Sequence, residues 1–315
     1  MKQLAVIGYP ISHSLSPALH GAALEACGVQ ATYDRREVVP AGLPAFVSDL
    51  RSGDWLGINV TVPHKEAVIP LLDGLSPEAE AIGAVNTIVV SQERLVGYNT
   101  DGIGFLQALR ERGRFDPRGR KVVVLGAGGA ARAVVWALCR AGAARVSLHN
   151  RHWERAQRLA ASARAWQWDT EVAVEPWDPA AVAMGLAGAG LLVNATSVGL
   201  AVHETPLPAE LIPEGILAVD LIYNPRPTRL LREAALRGAR TLDGLPMLVY
   251  QGAAAFELWT GHKAPVEAMQ DAAERALVES HQPPAVSHRH PHPVDLPSGR
   301  STPLPEGEGR RLDDA

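Results

Sequence analysis

The segment 57–65, Gly-Ile-Asn-Val-Thr-Val-Pro-His-Lys, places three chemically useful side chains in one short stretch. Its alternation of apolar and polar residues predicts a strand with Asn59 and Thr61 on one face. Pro63 ends such a strand because it has no N–H for a ladder, and Lys65 follows in a loop or first helical turn. An amide, a hydroxyl and an amine then face one region, which suits a small hydroxylated ligand and a proton transfer. A solvated edge strand with a surface lysine explains the segment equally well.

A dinucleotide-binding turn is predicted in the second half of the chain. Residues 122–125 are apolar and predict a strand, and a helix is predicted over 130–141. The turn between them fits G-x-G-x-x-G/A at Gly126, Gly128 and Ala131. Gly126 permits the tight turn, Gly128 allows a pyrophosphate to approach the backbone, and the helix N-terminus supplies N–H groups. The candidate cofactor-binding residues of this loop are Gly126, Ala127, Gly128, Gly129 and Ala130.

The end of the next predicted strand, 145–149, discriminates between NAD and NADP. NAD-binding folds often place an acidic residue there, on the ribose hydroxyls, whereas this chain has Asn150 and Arg151. The planar fork of Arg151 suits a 2′-phosphate, and Arg155 lies one helical turn further on. Arg155 alone is also compatible with a solvated helix face. This pattern favours NADP as the cofactor.

Four further polar clusters lie at the ends of predicted strands. Each has an ordinary structural explanation when taken alone: Ser16 could be the N-cap of a helix with Pro17 at its first position, and Asp101 could cap the helix after Gly102. The clusters are residues 12–17, 83–87, 97–102 and 223–225.

Taken together, these motifs closely resemble those of the shikimate dehydrogenase family in their residue types and in their order along the chain. The resemblance covers about residues 1–280 and uses motifs in both halves of the chain. The matching segments are 8–17, 59–65, 83–87, 99–101, 126–131, 150–151, 194–199 and 220–225, followed by Gly244, Met247, Gln251 and Gly252.

The resemblance implies NADP-dependent interconversion of shikimate and 3-dehydroshikimate. It implies Lys65 and Asp101 as the catalytic pair beside the reacting C3 oxygen, where both also touch the substrate. Ser14 and Ser16 would bind the substrate carboxylate with Tyr223 nearby. The implied partners of the ring hydroxyls are Asn59, Thr61, Asn86 and Gln251, and further implied cofactor contacts are Thr196, Leu221 and Gly244. His152 and Leu200 depart from the residues common in the family, Thr and Met, which could shift cofactor affinity.

The overall composition bounds the class of protein. The chain has 315 residues, 47% of them hydrophobic, and a formal net charge of −4, which argues against nucleic acid or anionic membranes as partners. Its two cysteines, Cys27 and Cys139, match neither a metal site nor a disulfide framework, and no secretory signal or membrane span is recognisable. We therefore expect a cytoplasmic enzyme, a monomer or homodimer, without a metal, whose partners are small molecules.

Alternating strands and helices predict an α/β fold with two domains. We expect an N-terminal α/β substrate domain at 1–101, joined by the returning helices of 241–280, and a Rossmann-type NADP domain with a parallel sheet at 102–240. Residues 281–315 are rich in proline and poor in large apolar residues, so a disordered tail is predicted. Its His288, His290 and His292 could bind a metal, although chance histidines explain them as well.

Two rival functions remain open at this stage. One is a quinate/shikimate dehydrogenase with looser substrate choice or NAD use. The other is a nucleotide-binding redox sensor without catalysis, against which the presence of both Lys65 and Asp101 argues.

Overall fold

Two six-stranded sheets organise the part of the chain that the computed structural model describes, residues 1–51, 53–200 and 204–280. The predicted tail at 281–315, with its histidines, lies outside the described residues. No helix within the described ranges combines the length and the apolar composition that crossing a membrane requires.

The first sheet is mixed and follows the order β2-β1-β3-β5-β6-β4. Strand β1 pairs in parallel with β2 and β3, whereas β5 is antiparallel to both β3 and β6. Strands β5 and β6 form a hairpin, and its turn places Gln92 and Glu93 at positive φ, the conformation of a two-residue hairpin turn. The strands are β1 Lys2–Gly8, β2 Ala31–Glu37, β3 Trp55–Val60, β4 Gly74–Leu75, β5 Thr87–Ser91 and β6 Arg94–Tyr98.

Five α-helices connect these strands and lead to the second sheet. They are α1 Ser16–Ala26, α2 Leu43–Asp49, α3 His64–Ala67, α4 Pro77–Ile82 and α5 Asp101–Glu111, with 3₁₀ turns at Pro40–Gly42 and Ile69–Leu71. Lys65 lies in the short helix α3, so of the two alternatives after Pro63, a loop or a first helical turn, the helical turn is the one observed.

Two local predictions in this half are wrong. Ser16 is not the N-cap of α1: Leu15 occupies that position, Ser16 is the first helical residue, and no side chain caps the helix. The reason is that the backbone N–H of Ser16 donates to Ser14 Oγ, which pulls the serines into a tight turn of their own. Strand β3 also ends at Val60, two residues before the predicted end.

The second sheet is parallel throughout, in the order β12-β11-β10-β7-β8-β9, as the βα alternation predicted. The chain moves outward from β7 through β9 and then returns to place β10 beside β7, so the carboxyl ends of β7 and β10 form a switch point where α/β sheets bind ligands. Its strands are β7 Lys121–Leu125, β8 Arg145–His149, β9 Glu171–Glu175, β10 Leu191–Asn194, β11 Leu217–Asp220 and β12 Arg240–Leu242. Its helices are α6 Gly129–Arg140, α7 Trp153–Ala165, α8 Pro179–Leu186 and α9 Arg229–Leu236, with a 3₁₀ turn at Ala209–Leu211.

The last two helices, α10 Leu245–Thr260 and α11 Val266–Ser280, pack back against the first half of the chain. Helix α10 contacts α5 and β3, and α11 contacts α1. The indole N–H of Trp259 on α10 donates to the carbonyl of Ile88 in β5, 2.9 Å away. This packing carries Gln251, which lies in the middle of α10, to the first sheet.

Candidate active site

The centre of the candidate site is an ion pair between Lys65 on α3 and Asp101 at the first position of α5. The Lys65 Nζ donates to Asp101 Oδ2, and the two side chains are only 13% and 6% exposed. The N-terminus of a helix favours a carboxylate, and the Asp101 N–H is itself held by Asn99 Oδ1 at 3.1 Å. The pair predicted from residues 36 positions apart is therefore brought into direct contact.

Asn86, in the loop between α4 and β5, connects this pair to the C-terminal helices. Its Oδ1 accepts from the backbone N–H of Thr100 at 2.8 Å, which fixes the orientation of the amide. Its Nδ2 consequently faces Asp101 Oδ1 at 2.8 Å, Thr100 Oγ1 at 2.9 Å and Gln251 Oε1 at 3.1 Å. These three acceptors share the two hydrogens of the Asn86 amide. The amide is therefore held in a fixed orientation, although it cannot donate to all three at once.

Asn59 is tied to the same network from the opposite side. Its Nδ2 lies 3.2 Å from both the carbonyl of Asn86 and Thr87 Oγ1, and its Oδ1 accepts from the hydroxyl of Tyr33 at 2.6 Å. Tyr33 was not among the residues predicted from the sequence; it lies on β2, in the largely polar strand Ala31–Glu37. A single aromatic residue in a polar strand does not indicate a functional role from the sequence. The role becomes visible only when β2 pairs with β1 and brings Tyr33 to Asn59.

His20, on α1, stacks on Tyr33 with ring centroids 4.3 Å apart and an interplanar angle of 12°. It is fully buried, neither ring nitrogen has a hydrogen-bond partner, and burial lowers its pKa to about 3. His20 is therefore neutral and acts as a flat apolar support for Tyr33 rather than as an acid or base.

Ser14 and Ser16 lie in the turn that follows β1, beside this network. Their hydroxyls are 3.2 Å apart, and the backbone carbonyl of Ser14 accepts from Arg35 Nε at 2.9 Å. Tyr223, which follows β11, packs against the hydrophobic cluster that contains Leu15 of this turn, and burial raises its pKa.

Thr61 follows β3 directly and lies against the end of β1. Its N–H donates to the carbonyl of Ile7 at 2.9 Å. Its methyl group lies so close to Gly8 that a Cβ there would be 2.6 Å from it, so only glycine fits. This contact keeps Thr61 at the carboxyl edge of the first sheet, where Ser14 and Ser16 also lie.

The glycine loop after β7 has the form that a pyrophosphate requires. Gly126 has φ +109°, and a Cβ there would lie 2.9 Å from the carbonyl of Ala195 in the loop after β10. Gly128 is the N-cap of α6, and no atom outside its chain neighbours lies within 4 Å of where its Cβ would be. An open, side-chain-free cradle at a helix N-terminus fits a dinucleotide.

The same loop lies close to Lys65. A Cβ on Gly129, the first residue of α6, would be 3.3 Å from Cβ and Cδ of Lys65. The turn predicted to hold the cofactor therefore lies close to Lys65, one member of the pair predicted to handle the proton.

The remaining predicted cofactor residues lie in loops at the carboxyl edge of the second sheet. Asn150 follows β8 and donates to the carbonyl of His152 at 2.7 Å, while Arg151 and Arg155 are exposed at the start of α7. Thr196 follows β10, where its hydroxyl donates to Asn194 Oδ1 at 2.7 Å and accepts from the Val198 N–H.

Leu221 and Gly244 meet at the end of β11. A Cβ on Gly244 would be 2.0 Å from the carbonyl of Leu221, so a larger residue would displace that loop. The adjacent Asp220 is buried, which raises its pKa to about 6, and it accepts from Asn194 Nδ2 and Thr228 Oγ1. Asp220 joins the ends of β10 and β11 and so holds the loops of Thr196 and Leu221 together.

Comparison with protein families gives three matches along the chain. The model of the shikimate dehydrogenase substrate binding domain matches residues 6–88. That of shikimate / quinate 5-dehydrogenase matches residues 109–174, and that of the shikimate 5′-dehydrogenase C-terminal domain matches residues 244–274.

Individual relatives span nearly all of the described chain. The chain is 47% identical to a shikimate dehydrogenase (NADP⁺) of Moorella thermoacetica, over 90% of this chain and 96% of the relative. Among solved structures, the shikimate 5-dehydrogenase of Thermus thermophilus in complex with NADP(H) and shikimate is 44% identical, with a TM-score of 0.79 over 88% of this chain and 100% of that one. A quinate dehydrogenase of Corynebacterium glutamicum in complex with NAD is 31% identical, with a TM-score of 0.80 over 87% and 99%. The chain therefore belongs to the shikimate dehydrogenase family.

Proposed function

We propose that this chain catalyses the reversible, NADP-dependent reduction of 3-dehydroshikimate to shikimate, a step of chorismate and aromatic amino acid biosynthesis. The observation that carries the proposal is the buried Lys65–Asp101 pair, which is joined to Asn86 and lies against the first residue of α6. A sensor that only bound nucleotide would not need a buried ion pair beside the cofactor loop, and burying one is costly.

Reduction of the substrate ketone requires a hydride at carbon and a proton at oxygen. NADPH supplies the hydride when it is bound. The Lys65 ammonium has three N–H groups; one is directed at Asp101, and the others are free to donate to the C3 oxygen and to stabilise its negative charge. Asp101 holds the ammonium in place, binds a substrate hydroxyl and shares in the proton transfer as part of a coupled pair.

The polar residues around the pair select the substrate. The ring hydroxyls are bound by Asn86, Gln251, Asn59 and Thr61. The Asn59 amide directs its hydrogens at protein acceptors, so Oδ1, which already accepts from Tyr33, presents its second lone pair to a hydroxyl. A buried site built in this way rejects ligands that lack the hydroxyl, because its own groups would be left unpaired.

The carboxylate of the substrate is bound at the other end of this network. Ser14 and Ser16 offer two hydroxyls 3.2 Å apart, and Tyr223 packs against the cluster that contains Leu15, the residue between them. Hydroxyl donors so placed can bind both oxygens of one carboxylate. Ligand orientation then follows, with the carboxylate at the serines and the C3 oxygen at Lys65.

The cofactor is held by the loops at the carboxyl edge of the second sheet. Residues 126–130 cradle the pyrophosphate, and Asn150, Arg151 and Arg155 bind the 2′-phosphate. Thr196, Leu221 and Gly244 line the rest of the cofactor site.

The division of the chain follows from these roles. Residues 1–101 and 241–280 form the substrate domain and residues 102–240 form the NADP domain, except that β12, the last strand of the second sheet, extends to Leu242. Neither cysteine is in a disulfide, which agrees with a reducing compartment such as the cytoplasm.

The direct test measures reduction of NADP⁺ or NAD⁺ by the purified chain, with shikimate or quinate as the substrate, by the ultraviolet absorbance of the reduced cofactor. We expect the highest kcat/KM with shikimate and NADP⁺. A higher kcat/KM with quinate would instead assign a quinate dehydrogenase. Binding of NADP⁺ without turnover of either substrate would assign a sensor and overturn the proposal.

A further inference from the structure

The C-terminal end of helix α4 is bound by two side chains from helices of the second sheet. Arg132 on α6 donates from Nε to the carbonyl of Ile82 at 2.6 Å. The indole N–H of Trp166, immediately after α7, donates to the carbonyl of Ala81 at 2.9 Å. The last carbonyls of a helix have no partner within the helix, so both bonds satisfy acceptors that would otherwise need water.

Arg132 is built into this contact rather than resting on its surface. Its guanidinium lies over Gly83, where a Cβ would be 2.7 Å from Nη2, and Gly83 has φ +68°. Nη2 also lies 3.4 Å from Ser162 Oγ on α7. Arg132 is partly buried, and this burial lowers its pKa, an effect that the charge of Glu66 opposes.

Both ends of this contact lead directly to the candidate active site. After α4 the chain runs through Gly83 to Asn86, and the N–H of Val85 on the way donates to the Lys65 carbonyl at 2.8 Å. At the other end, Arg132 lies three residues after Gly129, where an added Cβ would be 3.3 Å from the Lys65 side chain. One rigid helical turn therefore joins the cofactor loop to the loop that carries Asn86.

We propose that Arg132 and Trp166 are positioning residues for hydride transfer, which dock the cofactor-binding helices onto α4 and so set the distance between the cofactor loop and the Lys65–Asn86 region. Neither residue lies among those that bind substrate or cofactor. Their contribution is geometric, and a displacement of about 1 Å at reacting atoms can cost on the order of 100-fold in rate. This inference rests on the proposed function.

The test compares Arg132→Met with Arg164→Met, an exposed arginine on α7 that is removed as a control for loss of charge. For Arg132→Met we expect kcat to fall about 10- to 100-fold, whereas the Kd of NADP⁺ alone and of shikimate alone change less than about twofold. The deuterium isotope effect on kcat with 4-deuterated NADPH should rise, because hydride transfer becomes more rate-limiting. Arg164→Met should match the parent in all three measurements.

Two further variants separate positioning from folding. Arg132→Lys keeps one donor for the Ile82 carbonyl and should recover part of the lost kcat. Trp166→Phe keeps the packing of the ring, loses only the N–H, and should raise the isotope effect in the same direction as Arg132→Met.

Two results would overturn the inference. One is a lower melting temperature for Arg132→Met with unchanged kcat and isotope effect. The other is a loss of kcat that only follows weaker binding of one ligand. A parent enzyme that is inactive with shikimate would instead refute the proposed function.

Discussion

Replacement of Lys65 by Met tests the centre of the candidate active site, because it removes the ammonium while keeping an unbranched side chain against Gly129. The variant loses the group that we propose donates to the substrate oxygen. It also leaves the Asp101 carboxylate, only 6% exposed, with its hydrogen bond from Asn86 but without its positive partner. Catalysis and stability should therefore both change, for different reasons.

The size of each change follows from the burial of the pair. A positioned proton donor contributes about 10²- to 10⁴-fold in rate, which corresponds to about 3–5 kcal/mol of transition-state stabilisation. Breaking a buried ion pair by removing one partner costs about 3–5 kcal/mol of folding stability. The lower end applies here, because the Asp101 carboxylate keeps the hydrogen bond from Asn86.

The double variant Lys65→Met/Asp101→Asn separates the two effects. Asparagine has no charge, so the double variant should recover most of the lost melting temperature while its kcat stays at the level of Lys65→Met. The assays are steady-state kinetics with shikimate and NADP⁺, and thermal unfolding followed by circular dichroism. For Lys65→Met we expect KM for shikimate to change far less than kcat.

Two outcomes would refute this reasoning. Near-normal kcat in Lys65→Met would remove the ammonium from the mechanism. A double variant that regained kcat together with stability would mean that the loss in the single variant came from distortion of the fold.

Three further predictions concern residues around this centre. Arg151→Ala should raise KM for NADP⁺ at least tenfold more than KM for NAD⁺, measured side by side with shikimate; equal effects would show that Arg151 does not read the 2′-phosphate. Tyr33→Phe should raise KM for shikimate several-fold by freeing the amide of Asn59, and its effect should disappear in an Asn59→Ala background, which a double-mutant cycle in kcat/KM detects; additive effects would separate the two residues. His20 has a pKa of about 3 in the folded chain, against an ordinary value of 6.5. Between these two pH values it binds a proton only in the unfolded chain. The free energy of unfolding therefore falls as the pH drops below 6.5, by about 2 kcal/mol at pH 5. His20→Phe should remove that part of the loss, measured as the change in unfolding free energy between pH 7 and pH 5, and an unchanged pH dependence would contradict the neutral, buried assignment.

Much of the second sheet could be predicted from the chain alone, because its four central strands, β7, β8, β10 and β11, are almost completely buried. The short apolar runs at 122–125 and 191–193 are typical of buried parallel strands, and the glycines after the first run indicate the turn that follows it. The first sheet was harder to predict. Strand β2, Ala31–Glu37, is mostly polar and exposed, so it carries no hydrophobic pattern, and α4 is only six residues long.

The residues that could do chemistry were therefore found in the sequence, since Lys65, Asp101, Asn86 and the glycine loop belong to motifs whose residue types and order are specific. Their contacts depend on the tertiary structure. Only the packing of α10 against α5 brings the Gln251 amide to Asn86, and only the pairing of β2 with β1 places the Tyr33 hydroxyl on Asn59. Arg132 belongs to neither the glycine pattern nor any polar cluster, and its partner is a backbone carbonyl 50 residues away. The sequence gives the identity of each side chain, but a hydrogen bond to a distant backbone atom leaves no local pattern. The contacts that support the Lys65–Asp101 pair therefore become visible only when the two sheets are packed together.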